Sequence, residues 1–392
     1  MATEAGHIIG WAHTPFGKHD ALDLEALVVG VTGEALRDAQ VEARHVDAVV
    51  LGHCGGGMVP EIFVSSLPLQ ADDGLRFKPA VRVENACATG SAAIHAGLDM
   101  IAAGRARRVL VVGAEKMTAV PGARVTEILA AASYVKEEAA RGLTFPGIFA
   151  LFAQSYFEKY GDHSSTLARI AAKNHANGVR NPLAQMRRDL GFEFCNTVSE
   201  KNPVVAVPLR KTDCSLVSDG AAALVLADAE AARGARKAVA FRARAHVNDY
   251  LPMSRRDTLA FAGAREAFDR AYRAAGVTVD DLDFAEVHDC FTMAELLIYE
   301  AMGLAPQGQG PRVIEEGISS FGGKLPVNPS GGLKSKGHPI GATGVSMHVL
   351  AAMQLTGTAG DFQVPGAELG LVFNMGGSAV ANYASILEPV RA

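Results

Sequence analysis

The chain alternates between two hydrophobic rhythms. Short apolar runs such as Ala80–Val83, "RVLVVGAEKM" (108–117), "SDGAAALVLAD" (218–228) and "LGLVFNMGGS" (369–378) read as strands. Between them lie segments with helical spacing of apolar and charged positions, such as "EALRDAQ" (34–40) and "FDRAYRAAG" (268–276). Strands alternating with helices predict α/β layers built on mixed sheets. The segment Ala88–Gly104 departs from this pattern. Eleven of its seventeen residues are Gly, Ala, Ser or Thr, so no face is polar. A helix that is small on every side is buried on every side, against close neighbours.

The pattern also repeats. "EALRDAQVEARHVDAVVLGHC" (34–54) matches "FDRAYRAAGVTVDDLDFAEVHDC" (268–290), each a helix, a short link and a strand that ends in a His and a Cys. "CATGSAAIHAG" (87–97) matches "GATGVSMHVLA" (341–351), and 108–117 and 218–228 match 369–378 and 378–388 in the same order. One βα-type unit is therefore used twice, with its two small-residue helices side by side between two sheets. The helix-rich interval from about Met117 to Val204 has no counterpart and reads as an insertion over the first half. The predicted division is 1–116 plus 205–234 for the first half, 117–204 for the insertion and 235–392 for the second half.

Composition narrows the function classes. The chain has 392 residues, 41 glycines and a net charge of −5, with no long basic block, which speaks against a nucleic-acid or anionic-membrane surface. Five scattered cysteines, no apolar run of membrane-spanning length, no leader pattern at the start and no peroxisomal tripeptide in "EPVRA" point to a cytoplasmic protein with reduced thiols.

Four places carry candidate chemistry. Cys87, in "VENACATGSAA", follows a strand and opens the small-residue helix. Helix N-termini can lower a thiol pKa from about 8.5 to roughly 3.5–7.5, which predicts a reactive thiolate; the alternative is a small, inert, buried cysteine. His338 lies in "NPSGGLKSKGHPIGATG", where glycines allow close approach of a ligand. If the halves are related by pseudo-symmetry, it comes near Cys87. His288 and Cys290, in "AEVHDCF", follow a strand read over Val279–Val287, and their spacing of two puts both on one face. Metal binding, acid–base chemistry and chance all remain open for that pair. "FNMGGSA" (373–379) ends a strand in a Gly-Gly turn whose N–H groups at Gly376 and Gly377 could serve an oxyanion. No metal is expected, because no C-x-x-C or H-x-x-x-H pattern is present. Dinucleotide, P-loop and hydrolase-elbow spacings are also absent.

Taken together, "VENACATGSAA", "SDGAAALVL", "VHDCF" and "GGLKSKGHPIGATG" resemble the thiolases, and the His-Asp-Cys-Phe motif resembles their sterol-carrier-protein branch. The better-known branch carries N-E-A-F there and a C-x-G near the C-terminus, where this chain has Asn374-Met375-Gly376. The resemblance implies a five-layered α-β-α-β-α fold of two similar halves with an inserted loop domain. It implies acyl transfer through Cys87, with His338 activating the thiol and Cys290 as the acid–base group. It implies one oxyanion site at the N–H groups of Cys87 and Gly376, and another at His288 and His338. Coenzyme A would be a substrate rather than a bound cofactor, with Ser215 beside its pantetheine arm. Homodimers or homotetramers, and in some relatives a small OB-fold partner, belong to the same expectation. Phe145 stands near where the better-known branch has a histidine. Retro-aldol cleavage of a β-hydroxyacyl-CoA and a non-catalytic CoA-binding role are the alternatives.

Overall fold

The computed structural model describes residues 6–391. Residues 1–5 and 392 lie outside it, and they include parts of the terminal stretches read above for targeting signals. The chain begins β1 (Gly6–His13), α1 (Leu24–Ala39), β2 (Ala48–Gly52), β3 (Ala80–Val83), α2 (Thr89–Ala102) and β4 (Arg108–Lys116). There follow α3 (Gly122–Ala130), α4 (Phe145–Tyr160), α5 (Ser164–Arg180), α6 (Gly191–Asn196) and the short pair β5 (Val204–Ala206) and β6 (Leu209–Arg210). Next come β7 (Asp219–Asp228), α7 (Ala229–Ala232), β8 (Val239–Asn248), α8 (Ala262–Ala275), β9 (Phe284–Val287) and α9 (Thr292–Ala301). The chain closes with α10 (Pro311–Glu315), α11 (Gly332–Lys336), α12 (Ile340–Leu355), β10 (Gly370–Gly376) and β11 (Ala381–Pro389).

The repeated segments fold alike. In the first half the strand order is β3-β2-β4-β7-β1, and in the second it is β9-β10-β11-β8 when read from the outer edge. β2 pairs parallel with β3 and β4, and β9 pairs parallel with β10. A parallel bridge from Ala285 to Val327 completes the second half where β3 completes the first. The two half-sheets meet edge to edge. β1 and β8 exchange only two residue pairs, His7 with Ala240 and Ile8 with Val239, and this joins what the sequence predicted as separate sheets into one nine-stranded sheet.

Period-two alternation sorts the side chains. In the first half Val50, Val109, Val111, Leu224 and Leu226 face the main core. Val49, Leu51, Leu110, Val112 and Val225 face the other way and pack with α1. α2 and α12 fill the middle layer, with α12 touching strands of both halves, while α8 covers β8 and β11. The fold is therefore mixed α/β, in the α-β-α-β-α layering that was expected. α12 is buried along its whole length except near Met353.

Close contact between the central helices depends on missing side chains. A Cβ on Gly90 would lie 2.6 Å from the backbone N of Val345, and one on Gly344 would lie 2.2 Å from that of Ser91. One local expectation is corrected. Val279–Asp281 forms a 3₁₀ turn capped by Thr278, so the strand is only Phe284–Val287. His288 and Cys290 sit in the loop beyond it, and alternation along a strand does not set their directions. No helix among the described residues is long and apolar enough to cross a membrane.

Gly90→Ala should lower the unfolding free energy by roughly 1–3 kcal/mol, as an overpacked core contact. Gly30→Ala, on the exposed side of α1 with nothing within 4 Å of the new Cβ, should gain up to about 1 kcal/mol. Denaturant midpoints of the two variants check both signs.

Candidate active site

A tight turn presents Cys87. Glu84 accepts the N–H of Ala86 at 2.5 Å, Thr89 Oγ1 accepts that of Asn85 at 2.8 Å, and Ala88 N–H returns to Asn85 O at 3.0 Å. Ala86 is held in the left-handed region at φ +48°, which costs energy in a residue with a Cβ. The turn also approaches the end of β10, where a Cβ on Gly376 would meet Asn85 O at 2.5 Å. A glycine is therefore required there.

His338 reaches the same place from the second half. Its backbone N–H donates to Ser218 Oγ at 2.9 Å, and Nδ1 lies 2.7 Å from Thr343 Oγ1. His288 lies beside it, the two rings edge to face with centroids 5.0 Å apart. The ligand atoms of Cys87, His288 and His338 all fall within 4.8 Å of one another. Three of the four expected reactive groups thus share one spot. Cys290 is buried nearby, close enough that negative charge on Cys87 pushes its thiol further up.

Two cavities open onto this spot. One of about 560 Å³ is bounded by Cys87, Ile128, Leu129, Ala132, Gly376 and Gly377, among others. A smaller one of about 130 Å³ runs past Ser215, Val217, Phe291 and His338. Leu129 and Phe145 stand in both walls. Ser215 is fixed by its N–H, which donates to Cys290 O at 2.9 Å.

The surroundings oppose the expected thiolate. Burial pushes the Cys87 thiol up to about 12, and hydrogen bonds from the Gly377 N–H and from its own N–H offset this only in part. Met58, Met117, Val125 and Ile340 make the surroundings apolar. Cys87 also lies outside the first turn of α2, whose N-cap is Ala88. His338 supplies no cation, because burial and then the nearby Lys336 charge hold its imidazole down at about 3. Burial likewise holds His288 well below its ordinary value and Cys290 well above. The resting site is a set of neutral thiols and imidazoles.

Two buried carboxylates missed by the sequence reading hold these loops. Glu115 accepts the N–H groups of Cys54, Gly55 and Gly341, each at 3.0 Å, and so fastens the end of β2 to the start of α12. Asp289 accepts those of Leu333 and Lys334 and the amide of Asn174, which ties the loop carrying His288 and Cys290 to the one carrying His338. Asn174 also donates to Glu295, the partner of buried Lys173. A charged residue inside an apolar strand, as in "VVGAEKM", was the available signal for Glu115. The "KSKGH" cluster is likewise internal, with Lys334 donating to Cys214 O at 2.6 Å and Lys336 to Ser346 Oγ at 2.9 Å. His53 turns to Ala114 O and Glu115, away from Cys54, whose Sγ faces Glu84.

With this geometry in hand, the chain can be compared with known proteins. The thiolase N-terminal domain model matches residues 7–230, and the thiolase C-terminal domain-like model matches residues 245–389. The chain belongs to the thiolase family and is an acyltransferase. It is 37% identical over 376 residues to an acetyl-CoA acetyltransferase of Methanothermobacter thermautotrophicus, covering 95% of this chain and 96% of the relative. It is 34% identical to rabbit (Oryctolagus cuniculus) sterol carrier protein 2, covering 95% of this chain and 70% of the relative. Among solved structures, an Ltp2-ChsH2(DUF35) aldolase superposes with a TM-score of 0.84 at 23% identity, covering 100% of this chain and 99% of that one. Human mitochondrial 3-ketoacyl-CoA thiolase in complex with CoA superposes with a TM-score of 0.76 at 18% identity, over the full length of both chains. These two likenesses concern the fold.

A neutral resting thiol has a kinetic signature. Alkylation of Cys87 by iodoacetamide should rise with pH through pH 10 without a plateau, since the thiolate dominates only above about pH 12. A plateau beginning near pH 6–7, read by peptide mass spectrometry, would instead mark a resting ion pair with His338.

Proposed function

We propose that this protein cleaves 3-oxoacyl-CoA esters with free CoA, or runs the reverse condensation, through an acyl group carried on Cys87. The observation that supports this most directly is the meeting of Cys87, His288 and His338 within 4.8 Å, with Cys87 in the wall of the larger cavity and His338 in that of the smaller. Nucleophile, base and hydrogen-bond donor within reach of one reacting carbon is the minimum for covalent acyl transfer.

In the degradative direction His338 takes the Cys87 proton as Sγ attacks the 3-keto carbon. The C2–C3 bond then breaks. The acyl group stays on sulfur, and the CoA ester leaves as an enolate that takes its proton from Cys290. Free CoA next attacks the acyl-cysteine and gives its thiol proton to Cys290, which restores that group. Cys87 leaves as a thiolate and recovers its proton from His338. The raised Cys290 pKa suits this exchange, because its thiolate is a strong base and its thiol is stable at rest.

Two anions form at different places. The enolate oxygen is assigned to His288 and the protonated His338. The tetrahedral oxyanion is assigned to the backbone N–H groups of Cys87 and Gly376. Each donor contributes on the order of 3–4 kcal/mol of transition-state stabilisation. The smaller cavity past Ser215 is assigned to the pantetheine arm, and the larger one to the acyl group. CoA is then a substrate, and no resident cofactor takes part in any step. Retro-aldol cleavage needs an acid–base pair but no nucleophile, so a cysteine set against a base in the cavity wall favours acyl transfer.

Incubation with acetyl-CoA or acetoacetyl-CoA should add an acyl mass to the Cys87 peptide, and absence of that adduct under conditions where CoA binds defeats the proposal. Cys290→Ala should abolish exchange of the α-protons of acetyl-CoA with deuterated water, read by NMR, while Cys87 still acylates. Exchange at the wild-type rate would assign the base elsewhere.

A further inference from the structure

At the end of β10, in the place where the better-known branch carries its second cysteine, stands Asn374. It is completely buried, and every hydrogen-bonding atom of its amide has a partner. Oδ1 accepts from Ser91 Oγ on α2 at 2.8 Å. Nδ2 donates to the backbone O of Cys87 at 3.1 Å and faces His288 Nδ1 at 2.9 Å. A backbone carbonyl can only accept, so the NH₂ end of the amide must be the end that faces Cys87 and His288. His288 Nδ1 therefore meets a donor and must present a lone pair. A neutral imidazole carries one proton, and on His288 that proton is then on Nε2. His288 Nε2 is buried and has no partner among the described residues.

His338 is set the other way. Thr343 Oγ1 gives its proton to Pro339 O at 3.0 Å and so accepts from His338 Nδ1. The proton of His338 is on Nδ1, and its Nε2, also buried without a partner, keeps the lone pair. The two adjacent rings are thus opposite tautomers, each fixed by one outer hydrogen bond.

We infer that Asn374 is a positioning residue that locks His288 as a hydrogen-bond donor toward the reacting thioester, so that His338 alone of the two serves as base. This deepens the acyl-transfer reading and rests on it. Without the amide, either ring could take a proton, and His288 could turn a lone pair toward an enolate oxygen. The same tautomer bears on metal binding. An Nε2 that carries hydrogen has no lone pair for a cation, so the compact grouping of Cys87, His288 and His338 suits a developing oxyanion better than a metal ion.

Asn374→Asp keeps the shape but offers His288 an acceptor, which should move its proton to Nδ1. Asn374→Ala removes the director altogether. Three measurements test the inference. Nitrogen NMR of the wild type labelled with ¹⁵N-histidine should show one active-site ring protonated at Nε2 and its neighbour at Nδ1, with assignment by His288→Gln and His338→Gln. In both Asn374 variants α-proton exchange of acetyl-CoA should fall by about 10²-fold or more, as when one oxyanion donor is lost. Acylation of Cys87 by acetyl-CoA, which passes through no enolate, should fall less than tenfold in the same variants. His288 protonated at Nδ1 in the wild type overturns the inference, as does wild-type exchange in either variant. An equal loss of exchange and acylation also overturns it, and would make Asn374 only a support of the Cys87 turn. The NMR result does not depend on turnover. A wild type that never acylates Cys87 would defeat the acyl-transfer reading while leaving the tautomer test standing.

Discussion

The contact between Gly90 of α2 and Gly344 of α12 is the constraint on which this structure turns. Each helix begins just after a loop that carries a candidate reactive group, Cys87 before α2 and His338 before α12. Because the backbones touch without side chains between them, the two helix starts lie within reach of one another. Asn374 and Ser91 extend the join, linking β10 of one half to the central helix of the other. The site therefore exists only as the meeting of two similar halves, and neither contains it alone.

The environment of that meeting point shapes its chemistry. A helix-start thiolate would require nearby water, a cation or several free N–H groups, and the apolar walls outweigh the two N–H groups available. Keeping every reactive group neutral avoids burying an unpaired charge. In the proposed acyl transfer, charge then appears only during reaction, at the donors assigned to it. Buried carboxyl groups, both pushed up by burial, stand one layer back. Glu115 and Asp289 accept backbone N–H groups from the loops that carry the site, and hold those loops without entering the cavity.

Much of this was legible in the sequence. Repetition of segments predicted two matching halves, and the small-residue content of 88–104 predicted a helix buried on all sides. Those signals survive because they depend on local pattern. Cys87, His338, His288 and Cys290 stood out because their flanking motifs fit a family. Other features were hidden for physical reasons. The protonation state of Cys87 depends on which distant residues exclude water from it, and sequence neighbours such as Ala88 carry no trace of that. Glu115 and Asp289 find their partners 44 or more positions away in most cases. Apolar Val279 lengthens the apparent strand before His288, although Thr278 and Asp281 spell out a capped turn.

The seam between the half-sheets has a consequence of its own. With only two residue pairs bridging β1 and β8, the sheet ladder itself does little to fix one half against the other. Their relative placement falls to the volumes of side chains on the middle helices, which act as a spacer between two stiff plates. Altering that spacer by a methyl group would tilt the plates and slide sulfur against imidazole, with no reactive residue changed. Catalytic alignment in this protein is thus a property of its interior thickness, and positions deep in the middle layer are where drift in sequence would first be felt as drift in rate.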